Sequence, residues 1–76
     1  MTRKEAALAT YHAARLVAED ADDALSDILI ESYGPKRASL MRYLPPETDE
    51  IAAAMHAKLN ADRSSLNAWT AYRQYR

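Results

Sequence analysis

Between Glu19 and Glu31 this 76-residue chain carries the pattern most capable of specific chemistry. Glu19, Asp23, Asp27 and Glu31 recur at every fourth residue, and Asp20 and Asp22 thicken the run. On a helix, that spacing sets carboxylates along one side at intervals of about 6 Å. No Lys or Arg falls between Arg15 and Lys36. Like charges four apart each cost a helix roughly 0.2–0.5 kcal/mol, whereas most surface helices intersperse bases and gain a similar amount. Breaks of local rules concentrate at functional sites.

Two readings of the acids follow. In one, Glu19, Asp20, Asp23, Asp27 and Glu31 form a ridge that meets a basic surface on another macromolecule, and a row of carboxylates imitates the phosphates such a surface normally holds. In the other, the face is solvated or paired internally with Arg37, Arg42 or Arg63. Exposed ion pairs contribute little to stability, so internal pairing would orient helices more than it would fold them.

A second group couples bases to aromatics at the end of the sequence: Trp69, Tyr72, Arg73, Tyr75 and Arg76. Guanidinium groups and rings together suit phosphate contact and base stacking. The alternative function is therefore a dimeric DNA-binding regulator using Arg63, Asn67, Arg73 and Arg76. A helix-turn-helix laid over residues 48–75 fits poorly, because the motif wants a turn of about three or four residues, often with Gly, and the candidate turn is long and Gly-free. Glu47, Asp49, Glu50 and Asp62 also dilute the positive field. Otherwise Trp69 and Tyr72 are core anchors, and the terminal arginines favour a helix C-terminus.

Nothing else points to catalysis. His12 and His56 are isolated, with no second ligand at metal spacing, and the serines lack a nucleophile-elbow setting. The single Gly34 cannot build a phosphate-cradling loop, and the absence of Cys removes thiolate chemistry, zinc-thiolate sites and disulfides. A carboxylate with a tuned pKa needs a pocket, which so small a core does not promise. No enzyme activity, cofactor or metal is expected.

The formal net charge of −1 conceals a division. Residues 1–34 carry three bases against seven acids, a balance of −4, and residues 35–76 carry seven against four, a balance of +3. Of the 49% hydrophobic residues, sixteen are Ala, which bury little area each, so the core is thin and a second copy or a partner is expected to add to it. No apolar run approaches the roughly eighteen residues of a membrane span and no signal-peptide core opens the chain, so a cytoplasmic location is expected and a membrane is not. The Ala- and Arg-rich composition is compatible with a GC-rich bacterium, its phages or its plasmids.

The elements that would position these groups are all helical. Thr2 and Glu5 have capping-box spacing, and Gly34-Pro35 is the first stop signal, which predicts one helix over residues 3–33. Ala7, Tyr11, Ala14, Ala18, Ala21, Leu25, Ile28 and Ser32 alternate steps of four and three, a heptad seam whose small residues permit close packing. The acids Glu19–Asp23 are its weak point. Pro35 starts a short helix over 35–44, with Leu40, Met41 and Leu44 on its apolar side and Pro45-Pro46 as its stop. Thr48 or Asp49 caps a third segment over 48–74, with an apolar stripe of Ile51, Met55, Leu59, Leu66, Trp69 and Tyr72. Asn60–Ser65 interrupts that stripe and leaves one helix or two open. Leu16 and Ile30 lie opposite the heptad seam, so either the other helices wrap around the first or a second subunit covers the surplus.

The expected fold is all-α: a single domain over 1–76, a small bundle of three or four helices, with a long N-terminal helix packed on a C-terminal helical segment. The expected function is a non-enzymatic interaction module, a regulator or inhibitor, that presents an acidic helix face to a basic protein partner. A homodimer is the expected assembly, with nucleic acid as the secondary partner.

Overall fold

Two threonines begin the two long helices. A computed structural model describes residues 2–75, and in it Thr2 Oγ1 accepts the Glu5 backbone N–H at 3.1 Å while Thr48 Oγ1 accepts that of Ile51, also at 3.1 Å. Each hydroxyl satisfies one of the donors that a helix start leaves free. Helix α1 spans Arg3–Tyr33, α2 spans Pro35–Met41 and α3 spans Asp49–Arg73, and no strand occurs among the described residues. Gly34 ends α1 at φ 83°, a backbone region that L side chains rarely enter, and its N–H bonds back to the Ile30 carbonyl at 2.8 Å.

The molecule measures 46 × 17 × 17 Å. Thirty-one residues at about 1.5 Å each span about 46 Å, so the long dimension is α1 itself. The width is that of two helices side by side. Helix α3 packs against α1 along its length, and α2 folds back over one end of α1. This is a small all-α bundle in which a long N-terminal helix rests on the C-terminal one.

The α1 seam lies where its heptad places it. Leu25 is buried, and Ala7, Tyr11, Ala14, Ala18, Ala21 and Ile28 are half-buried, while Ser32 is exposed at the margin. The matching seam of α3 is Ile51, Ala54, Lys58, Ala61, Ser65, Ala68 and Tyr72. This corrects the apolar stripe read from the sequence: Leu59 and Leu66 are 56% and 63% exposed. One residue is about 100° of helix rotation. Placing the small side chains Ala61, Ser65 and Ala68 inward lets α3 approach the alanines of α1, and that close approach turns the leucines out.

The true core sits where three helices meet. Leu25, Leu29, Ala38, Met41 and Ile51 form it, with Ile28, Tyr33, Ala54 and Met55 packed around. Helix α2 stops at Met41, three residues short of the expected Leu44, because Tyr43 and Leu44 bond to the carbonyls three residues back as the chain tightens into a turn ahead of Pro45. Of the expected apolar side of α2 only Met41 is buried, and Leu40 and Leu44 are exposed. Leu16 and Ile30 also stay exposed, so the other helices do not wrap around α1 to cover them. No described helix is long and apolar enough to cross a membrane.

Candidate interaction surface

Because α1 is unbroken, its acids hold a fixed relation to one another. Glu19, Asp20, Asp23, Asp27 and Glu31 are all exposed. Four-residue steps overshoot a full turn by about 40°, so the row winds by roughly 120° from Glu19 to Glu31 rather than keeping strictly to one side. Glu19 is within 3.4 Å of Arg15 one turn earlier, an exposed pair of small value. Among the described residues, Asp20, Asp23, Asp27 and Glu31 form no ion pair. Glu31 also stands in the last turn of α1, which holds no base, so it faces the negative end of the helix dipole. Sequence and helix electrostatics both oppose this concentration of charge, and nothing in the described fold relieves it.

The carboxylate that is clasped is one outside that row. Arg42 Nη1 donates to Asp22 Oδ1 at 2.6 Å and Arg42 Nη2 to Ser26 Oγ at 2.6 Å, which ties the end of α2 to α1. Lys58 lies 3.8 Å from the same Asp22 oxygen and donates to Asp62 Oδ2 at 2.6 Å, which extends the chain of charges to α3. The Arg42 hydrogen bond, with the positive charges of Arg42 and Lys58, outweighs burial and holds the Asp22 carboxyl below its ordinary value. Pairing of the acidic run with Arg42 was one of the two readings open from the sequence, whereas the extension of this five-residue network to Ser26, Lys58 and Asp62 was not foreseen. Arg42 had been a candidate partner for the ridge, and it reaches the acid beside Ala21 instead. Arg37 stands 6.0 Å from the Tyr33 ring centroid, and Arg63 forms no ion pair among the described residues.

Alongside the network runs an open groove of about 340 Å³ between α1 and α3, lined by Arg15, Glu19, Asp22 and Asp23 on one side and Lys58 and Asp62 on the other. No three His or carboxylate side chains gather at metal-binding geometry among the described residues.

The basic and aromatic group closes the far end of the helix pair. The Trp69 ring lies 5.1 Å from that of Tyr11 on α1 and 5.8 Å from Tyr72, both tilted. Two of the rings that were candidates for stacking on bases are thus turned to packing. Arg63, Asn67 and Arg73 are exposed on α3, and Arg76 lies outside the described residues. Helix α3 runs unbroken through 60–65, so the helix-turn-helix laid over residues 48–75 has no turn there. No protein-family model matches the chain, and no curated protein or solved structure matches it either.

Proposed function

We propose that the protein is a non-enzymatic interaction module, a cytoplasmic regulator or inhibitor, whose α1 outer face engages a basic surface on a protein partner. The observation that carries this reading is the exposure of Asp20, Asp23, Asp27 and Glu31 on a continuous helix with no ion pair to a described base. A fold gains nothing from that arrangement. The carboxylates repel one another along the helix, and the last of them opposes the helix dipole. A partner's Lys and Arg side chains would remove both costs at once, and such complementarity speeds encounter and rejects wrong partners.

The test is a quadruple variant, Asp20→Asn, Asp23→Asn, Asp27→Asn and Glu31→Gln. Used as bait in the native cell extract beside the unaltered protein, it is expected to keep its helicity by circular dichroism and to lose a basic partner that the unaltered protein retains in a salt-sensitive way. Equal recovery of that partner by both baits rejects the reading.

A further inference from the structure

Helix α2 shows what one end of the α1/α3 pair accepts: Ala38 and Met41 turn inward onto Leu25, Leu29 and Ile51, and Arg42 reaches the Asp22 carboxylate. Beyond Arg42 the same side of the pair continues without a covering helix among the described residues. On α3 that side carries a second heptad, Ala52, Met55, Leu59, Asp62, Leu66, Trp69 and Arg73, set one residue from the seam that packs on α1. Two seams one residue apart are the mark of a helix with two helical neighbours. Helix α1 is one neighbour. Leu59, Leu66 and Trp69, at 56%, 63% and 39% exposure, have no second.

The chemistry of the missing neighbour follows from the groove beside these side chains. Its lining holds four carboxylates, Glu19, Asp22, Asp23 and Asp62, against the two cations Arg15 and Lys58, and Arg42 adds a third cation on Asp22, a balance of 3 − 4 = −1 in which Asp23 is the acid with no ion pair to a described base. An acidic helix would be repelled there, and a wholly polar one would leave the leucines wet. We infer that the uncovered stretch from Leu59 to Trp69 receives a basic amphipathic helix from the partner, which lays apolar residues on Leu59 and Leu66 and sets Lys or Arg against Glu19 and Asp23. It repeats, in a second molecule, the pairing of apolar contact and Arg-to-Asp bond by which α2 closes its own end. This inference rests on the acidic-surface function and adds an apolar wall to it.

The experiment uses two labelled peptides of about 18 residues, roughly 27 Å as helix. They share one composition of Leu, Lys and Ala, with the leucines on a single face in one and dispersed around the helix in the other. Fluorescence anisotropy is expected to show the patterned peptide binding at least about tenfold tighter than the dispersed one, and the variant Leu59→Gln/Leu66→Gln, of unchanged helicity, losing about tenfold for it. Equal binding of the two peptides, no binding of either, or an unaffected leucine variant overturns the inference. If the leucine variant is unaffected while the quadruple acid variant loses binding, the electrostatic function stands without the groove. If only the leucine variant loses binding, apolar contact alone recruits the peptide, and the inference falls together with the electrostatic reading. Sedimentation of the chain alone as a dimer that Leu59→Gln/Leu66→Gln dissolves would assign the stretch to a second copy and overturn the inference as well.

Discussion

The two ends of the α1/α3 pair are made from the same helices and differ in how many elements meet there. Where α2 folds over, Leu25, Leu29 and Ile51 are at most 2% exposed. Toward the other end, among the described residues, only Ala61 reaches a buried state, and the rings of Tyr11 and Trp69 stay partly open. Two helices enclose a line between them, whereas three enclose a volume. An alanine-rich line brings backbones together at little gain in buried area, so the open end relies on helix pairing and aromatic packing while the closed end supplies most of the dry core.

That contrast can be broken most sharply at Leu29. Leu29→Ala is expected to cost about 3 kcal/mol, within the 2–5 kcal/mol usual for a buried leucine, because the cavity lies among three elements that cannot all collapse onto it. In a chain of this size the loss would lower the midpoint of thermal unfolding by more than 10 °C, at roughly 4–8 °C per kcal/mol. A fall of less than about 1 kcal/mol in denaturant titration would mean that the three-helix end is not the stable one. At the other end the informative change is enlargement. Ala61→Leu inserts bulk at the 8%-exposed point where α3 approaches α1, and overpacking of about 1–3 kcal/mol is expected. A neutral or stabilising result would show that the alanine seam has room and that close approach is not what turned the leucines outward.

The same contrast explains what could be read in advance. The α1 register was legible because Ala7 to Ile28 keep an unbroken heptad whose seven members are all buried or half-buried, although Leu29, 1% exposed, lies one residue off it, and the exposure of the acids follows from lying off that seam. Helix α3 carries two heptads one residue apart. Ranking side chains by hydrophobicity selects Met55, Leu59, Leu66 and Trp69, while the heptad that packs on α1 is the one with Ala54, Ala61 and Ala68. The choice is made by the distance at which two backbones pack, a tertiary quantity absent from the order of residues. The Arg15 to Glu19 pair had a visible signal in its four-residue spacing. For Asp22 the sequence offered Arg37, Arg42 and Arg63 with nothing to choose among them, since Arg42 is twenty residues away and the return direction of α2 is set by the turn at Gly34.

Asp22 also gives the smallest change that still separates the two ends, because its network sits at the edge of the α2 cover. Its folded-state pKa is depressed, so the carboxylate contributes stability above the ordinary carboxylate range, and that contribution is lost as pH falls through this range and on through the folded value. The Asp22 side chain is 40% exposed, and solvent screening limits the effect of Asp22→Asn to about 1 kcal/mol at neutral pH. The unaltered protein should therefore lose its advantage over the variant as pH drops below about 4, and the two unfolding midpoints should converge. The Arg42 bond holds α2 over the closed end and touches nothing at Trp69. Amide hydrogen exchange in the variant should rise around Ala38 and Met41 more than around Tyr72. Uniform loss of protection along α3 would mean that the network holds the whole helix pair together, and the distinction between its ends would fail as an account of stability.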